Sequence, residues 1–191
     1  MSKPVISQGT LALLLLFGVA QFAMADKSKY EIDYLLIDTD IEGAGYEPKA
    51  LQYKHIIPYN RIIDFEGIVA LGITEEKANR KTGIATFYTQ KFKLSNALGF
   101  MAKVSGAMEP KVHAYIHAGL MRIEYDVSTS AGGNGPNGSQ SDTGLAYGFG
   151  IAFSFLKKGA FVLEFNELPD ISTENNTIKT SVLSLGYQMP F

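Results

Sequence analysis

Residues 143–155 read TGLAYGFGIAFSF. Leu145, Tyr147, Phe149, Ile151, Phe153 and Phe155 fall on every second position, with Gly144, Ala146, Gly148, Gly150, Ala152 and Ser154 between them. A period of two is the mark of a strand whose side chains point alternately to opposite faces. Here one face is all bulk and the other all small residues. LKKG follows at 156–159, and the alternation resumes in AFVLEFNEL at 160–168, where Phe161, Leu163 and Phe165 oppose Glu164 and Asn166. Two alternating runs joined by a short Gly-containing turn form a hairpin. One side of this hairpin is hydrocarbon and the other carries a carboxylate, so the question is what covers the hydrocarbon.

The rest of the chain repeats the pattern. Strands are expected at 29–38, 50–57, 62–73, 98–108, 112–127, 143–155, 160–168 and 178–191. Ile63, Phe65, Val69, Leu71 and Ile73 oppose Asp64 and Glu66; Phe100, Ala102, Val104 and Met108 oppose Lys103 and Ser105. Tight turns at PYNR (58–61), EPK (109–111) and LKKG (156–159) alternate with long links at 39–49, 74–97, 128–142 and 169–177. Nothing between the strands has the pattern of an amphipathic helix that would cover the apolar faces. Lipid would cover them. In hydrocarbon every backbone group must be paired within the protein, which for strands requires a closed barrel. Short turns on one side and long ones on the other are the layout of such a barrel. The expected fold is therefore all-β, an eight-stranded antiparallel up-and-down transmembrane β-barrel with its charged face in the lumen.

The beginning of the chain fits export. Lys3 precedes the apolar run Leu11 to Ala20, and Ala23-Met24-Ala25 supplies small-x-small spacing. The run is shorter than the roughly 20 residues needed to span a bilayer. This is the order of a secretory leader, so residues 1–25 are expected to be a signal peptide and 26–191 the barrel domain. The expected location is the outer membrane. The chain has no cysteine, which excludes disulfides, thiolate metal sites and a cysteine nucleophile. A net charge of −2 with no basic stripe gives nucleic acid nothing to bind.

AYIHAGLMRIEYD (114–126), the 144–168 hairpin and the terminal SLGYQMPF (184–191) resemble the small eight-stranded OmpA-like outer-membrane β-barrels, the group that includes the OmpX/Ail and Opa-type surface proteins. The resemblance covers about 29–191. It implies that the last strand is read by the barrel-assembly machinery, through Leu185, Tyr187, Met189 and Phe191. Met189 stands where an aromatic is common. Aromatics there would also form an interfacial girdle. The resemblance further implies a non-enzymatic barrel with a structural, adhesion or host-interaction role. Its partners would be outer-membrane lipid and lipopolysaccharide, and a host or cell-surface ligand held by the loops.

Lys54, Glu66, Lys103, His117 and Glu164 share the lumen-facing register and form the candidate polar network. In so narrow a barrel, side chains fill the interior, and buried charges must be paired. The alternative is a narrow ion path, making the protein a small-conductance, porin-like channel. A third reading is a lipid A-modifying enzyme. The histidines are His55, His113 and His117; His113 and His117 share a face about 13 Å apart along a strand, too far for one dyad, and no catalytic constellation is expected. DTDIEG (38–43) mimics half of an EF-hand loop, but Lys49 stands where that loop needs a bidentate Glu. No metal or cofactor is expected. Link 128–142 reads as a flexible Gly/Asn/Ser loop. Link 74–97 carries Phe87, Tyr88 and Phe92 as candidate aromatic anchors of a surface-binding loop, unless the flanking strands simply extend through it as a hairpin.

Overall fold

The computed structural model describes residues 28–41, 44–82, 86–109, 111–130, 137–156, 159–172 and 177–190; at 44, 79–82, 86–88, 129, 130, 137 and 156 only the backbone is described. The expected leader at 1–25 and Phe191 lie outside the described residues. Strands are β1 (Lys29–Ile41), β2 (Ala44–Tyr46), β3 (Lys49–Pro58), β4 (Ile63–Gly72), β5 (Glu76–Thr82), β6 (Thr86–Glu109), β7 (Val112–Ser130), β8 (Asn137–Leu156), β9 (Gly159–Glu167), β10 (Ile171–Ser172) and β11 (Thr177–Pro190).

Eight of them form the wall. β1, β3, β4, β6, β7, β8, β9 and β11 pair antiparallel in chain order, and β11 returns to β1 from Lys29↔Pro190 to Ile41↔Ile178. The ring is closed, so the wall leaves no open edge in the membrane. From Ile57, a walk across the paired residues Phe65, Ala102, Ala118, Tyr147, Glu167 and Ser181 reaches β1 at Asp38. The residue in line with Ile57 is Ser28, just before β1 and one below the Lys29↔Ile56 pair. One circuit thus climbs from residue 28 to residue 38. That stagger tilts the strands, and with eight strands it leaves an interior that side chains can fill.

The outer surface is the hydrocarbon face expected from the alternation. Ile32, Leu36, Leu51, Phe100, Ile116, Leu120, Leu145, Phe149, Leu163 and Leu185 are all exposed around the wall. At the end with the short turns, rings line up on the outside: Phe155 against Phe161 at 5.6 Å, Phe161 against Tyr187 at 5.2 Å and Tyr59 against Phe65 at 5.7 Å.

The long links are more ordered than their composition suggests. β6 has 24 residues and β4 only 10, and β7 and β8 run with β6. Link 74–97 is a hairpin in which β5 pairs with β6 from Glu76↔Phe92 to Thr82↔Thr86. The expected flexible loop at 128–142 is strand at both ends, since β7 and β8 stay paired as far as Ser128↔Asn137. Cross-strand hydrogen bonding overrides weak local propensity once a neighbouring strand offers a template. Likewise Asp38 and Asp40 lie in β1 rather than in a loop, and Thr39–Ile41 pairs with β2.

A β-bulge sits in β6, where the register with β7 shifts between Leu94 and Asn96. A bulge adds one residue to a strand and reverses which parity faces inward. Below it Phe100 and Val104 are exposed; above it Phe92 and Leu94, of the same parity, are buried.

Candidate functional site

The barrel interior is layered. Near the short-turn end lies a charged layer, built where the inward residues of seven wall strands meet at one height. Register alone puts Glu31 beside Lys54, Asp33 beside Gln52 and Lys103 beside His117. The tilt of the wall then brings distant strands together across the lumen. Lys54 Nζ donates to Glu31 Oε1 at 2.7 Å and to both oxygens of Glu164 at 2.8 and 2.7 Å, and lies 3.4 Å from Asp33 Oδ2. Tyr115 Oη donates to Glu164 Oε2 at 2.7 Å, and Asn166 Nδ2 to Glu164 Oε1 at 2.6 Å. Lys103 Nζ donates to Glu66 Oε1 at 2.6 Å. His117 Nδ1 lies 2.9 Å from Glu66 Oε2, and its Nε2 lies 2.6 Å from Asn166 Oδ1. Gln52 Nε2 donates to Asp33 Oδ2 at 2.8 Å and Gln188 Nε2 to Glu31 Oε2 at 2.9 Å.

The five residues read from the sequence, Lys54, Glu66, Lys103, His117 and Glu164, are therefore brought into one cluster, and each is buried. Glu31, Asp33, Gln52, Tyr115, Asn166 and Gln188 belong to the same cluster and were not on that list. Their signal was present, because each falls on the inward parity of its strand. The glycines of β8 make the room. A Cβ on Gly148 would overlap Asn166 Oδ1 and come within 2.8 Å of His117 Nε2, and one on Gly150 would run into the Tyr115 ring.

Above the charged layer the lumen is apolar. Leu35, Ile37, Ala50, Ile68, Ala70, Leu94, Ala97, Met101, Met121, Ile123, Ala146 and Val182 form one buried cluster. Tyr125 Oη donates to Thr180 Oγ1 at 2.9 Å, within it. The expectation placed a charged face and a polar network in the lumen; the structure adds this apolar plug above them. The YLLID stretch of β1 gave the hint, since Leu35, Leu36 and Ile37 are apolar at both parities. Between the two layers remains a cavity of about 20 Å³, bounded by Gln52, Glu164 and Asn166 and by Leu35, Ile68, Met101 and Val182. That is the room of one water molecule.

The aromatic anchors need a correction. Phe92 is wholly buried between Tyr46 and Tyr125, with ring centroids at 5.3 and 4.6 Å. The bulge in β6 turns it into the lumen, so it presents nothing to a partner. Phe87 and Tyr88 lie in the β5–β6 hairpin opposite Lys81 and Arg80, and their side chains lie outside the described residues. In the terminal strand Leu185 is exposed to the lipid side, and Tyr187 and Met189 are half-buried.

On the outer faces of β5 to β8, beyond the lipid-facing band, a groove of about 430 Å³ is lined by Glu75, Lys91, Lys93, Asp126, Ser128 and Ser139. Its charges are mixed, and Lys91 pairs with Glu75 at 3.2 Å. Among the described residues no group of His, Asp and Glu is arranged to hold a metal. His117 is sealed in the lumen, and His113 lies at the short-turn end of β7, directly after the turn.

Residues 9–191 match a family model described as outer membrane protein beta-barrel domain. No curated protein sequence matches the chain. Among solved structures the chain is similar to Ail, the attachment invasion locus protein of Yersinia pestis, in complex with the heparin analogue sucrose octasulfate. The identity is 18%, over 87% of this chain and 100% of that one, with a TM-score of 0.56. Neisserial surface protein A is similar at 14% identity, over 86% and 97% of the two chains, with a TM-score of 0.57. The outer membrane protein OprG from Pseudomonas aeruginosa is similar at 11% identity, over 88% and 98%, with a TM-score of 0.53. At these identities the likeness is one of fold.

Proposed function

This chain belongs to the outer membrane protein β-barrel family, and from that premise we propose that it is a surface-recognition barrel, exported by its leader at 1–25 and held in the outer membrane as a non-conducting, non-enzymatic anchor. The observation that carries the reading is the tall sheet. β5 to β8 continue as paired strands well past the height at which β4 and β9 end. β4 spans roughly 33 Å along its length and β6 more than twice that. Membrane crossing needs about 9–11 residues per strand, so the excess has no role within the bilayer. It presents a rigid polar surface at the end opposite the short periplasmic turns. The heparin analogue bound by Ail makes a sulfated polysaccharide a reasonable first ligand to try.

The channel reading is disfavoured by the layered lumen, where a cross-linked cluster of ion pairs lies under an apolar plug. Lipid A modification is disfavoured by the histidines, because all three lie in the short-turn halves of their strands, away from the outer leaflet.

The test uses intact cells carrying the full chain and a variant in which 77–91 is replaced by a short Gly-Ser turn, which keeps the Glu76↔Phe92 pair, with adhesion scored on heparin-coated and uncoated surfaces. Equal adhesion, with the variant assembled in the outer membrane, would remove the tall sheet from the function. Discrete conductance steps from the purified barrel in planar bilayers would restore the channel reading.

A further inference from the structure

We infer that His117 is a buried, doubly protonated imidazolium, and that its second proton acts as a pH-sensitive lock on the closed barrel. The argument starts at Glu164. Its two oxygens accept from Lys54 twice, from Tyr115 and from Asn166. With every partner a donor, Glu164 is a carboxylate, so Asn166 must turn its Nδ2 toward it. That orientation leaves Asn166 Oδ1, a pure acceptor, facing His117 Nε2 at 2.6 Å. Nε2 therefore carries a proton. On the other side of the ring, Nδ1 faces Glu66 Oε2 at 2.9 Å. Lys103, at 2.6 Å from Glu66 Oε1, favours the ionised form of Glu66, which places the proton of this pair on Nδ1.

A neutral ring cannot satisfy both neighbours. It has one N–H and one lone pair, and the lone pair would face either the Glu66 carboxylate or the Asn166 carbonyl oxygen. Flipping Asn166 moves the conflict to Glu164, where oxygen would meet oxygen. The ring has little room to turn away, because a single Cβ on Gly148 would already come within 2.8 Å of Nε2. Charge points the same way. Among the described residues the buried carboxyl groups Glu31, Asp33, Glu66 and Glu164 face the buried amines Lys54 and Lys103. The imidazolium adds a third cation to a layer in which carboxyl groups outnumber amines. Asp33 Oδ1 already has no hydrogen-bond partner.

The groups that meet His117 are Glu66 on β4, Lys103 on β6, Tyr115 on its own strand β7, and Glu164 and Asn166 on β9, with Lys54 on β3 behind Glu164. The imidazolium thus joins β4, β7 and β9 across the lumen. A folded barrel that holds a proton which the unfolded chain releases near neutrality loses stability as the pH rises. The barrel is locked at neutral and mildly acidic pH and loosened by alkali.

The test is made on the full chain folded in detergent micelles. Nitrogen-15 NMR of the histidine rings, with His117 assigned by its loss in His117→Gln, reads the protonation state directly. Both ring nitrogens of His117 are expected to be protonated at neutral pH. The urea midpoint is expected to fall as alkali removes the second proton, in step with the NMR titration. In Glu66→Gln the amide can donate to Nδ1, a neutral ring fits, and the alkaline fall is expected to disappear. One unprotonated ring nitrogen at neutral pH in the wild type would overturn the assignment, whether or not the variants fold. A protonated ring with a flat stability profile, or an alkaline fall that persists unchanged in Glu66→Gln, would overturn the lock.

Discussion

Replacing Lys54 by methionine tests the charged layer at its centre. The side chain is fully buried, and its Nζ is the shared cation of Glu31, Asp33 and Glu164. Methionine keeps most of the volume and removes the charge, leaving three carboxylates to face one another. Removing one partner of a buried pair costs about 3–5 kcal/mol, most of it from the charge left behind. That is a fall of roughly two to four decades in the folding equilibrium. With a urea dependence of about 2 kcal/mol/M, the midpoint should drop by roughly 2 M. The chain has no tryptophan, so unfolding is followed by circular dichroism and by heat-modified mobility on gels. The double variant Lys54→Met/Glu164→Gln removes one of the stranded charges and should recover a good part of the loss, a coupling that a double-mutant cycle isolates. A midpoint for Lys54→Met within about 0.3 M of wild type, equivalent to well under 1 kcal/mol, would refute the reasoning and mean that the lumen is hydrated.

Gly148→Ala should destabilise the barrel by about 1–3 kcal/mol through overpacking, since its Cβ overlaps Asn166 and crowds His117; the same urea titration checks it, and Gly138→Ala, where a Cβ meets nothing, is the control. Phe92→Ala should cost about 3–5 kcal/mol by opening a cavity beside Tyr46 and Tyr125, while leaving adhesion of intact cells unchanged, because the ring is not on the surface. Tyr187→Asp and Phe191→Asp should lower the amount of barrel in fractionated outer membranes while the chain still reaches the periplasm; full assembly of both would argue that this strand does not face lipid. Gln188→Asp replaces the donor to Glu31 with a second carboxylate, and it should lower the urea midpoint. Trypsin added to intact cells should cut at Arg80 or Lys81 in the β5–β6 hairpin, and cutting there only after permeabilisation would reverse the orientation of the barrel.

Much of this was already written in the chain, for a local reason. A strand displays its side chains with a period of two, so Leu145 to Phe155 reveal their outward face and Glu66, Lys103, His117 and Glu164 their inward one, without any knowledge of neighbours. Hydrocarbon on one face, no helix pattern to cover it, and a rhythm of short and long links were enough for a closed barrel in lipid. What the alternation cannot carry is anything that depends on register. The stagger around the ring decides which inward residues share a height, and so joins Lys54 of β3 to Glu164 of β9 and His117 of β7 to Glu66 of β4. A single extra residue in β6 reverses parity, which sends Phe92 into the lumen although it shares its parity with Phe100. The same non-local pairing keeps Gly- and Ser-rich residues of β8 in a strand that their own propensities would not hold. Faces are a property of each strand alone, whereas layers, bulges and the tall sheet come from hydrogen bonds between strands far apart in sequence, and only the folded barrel sets those.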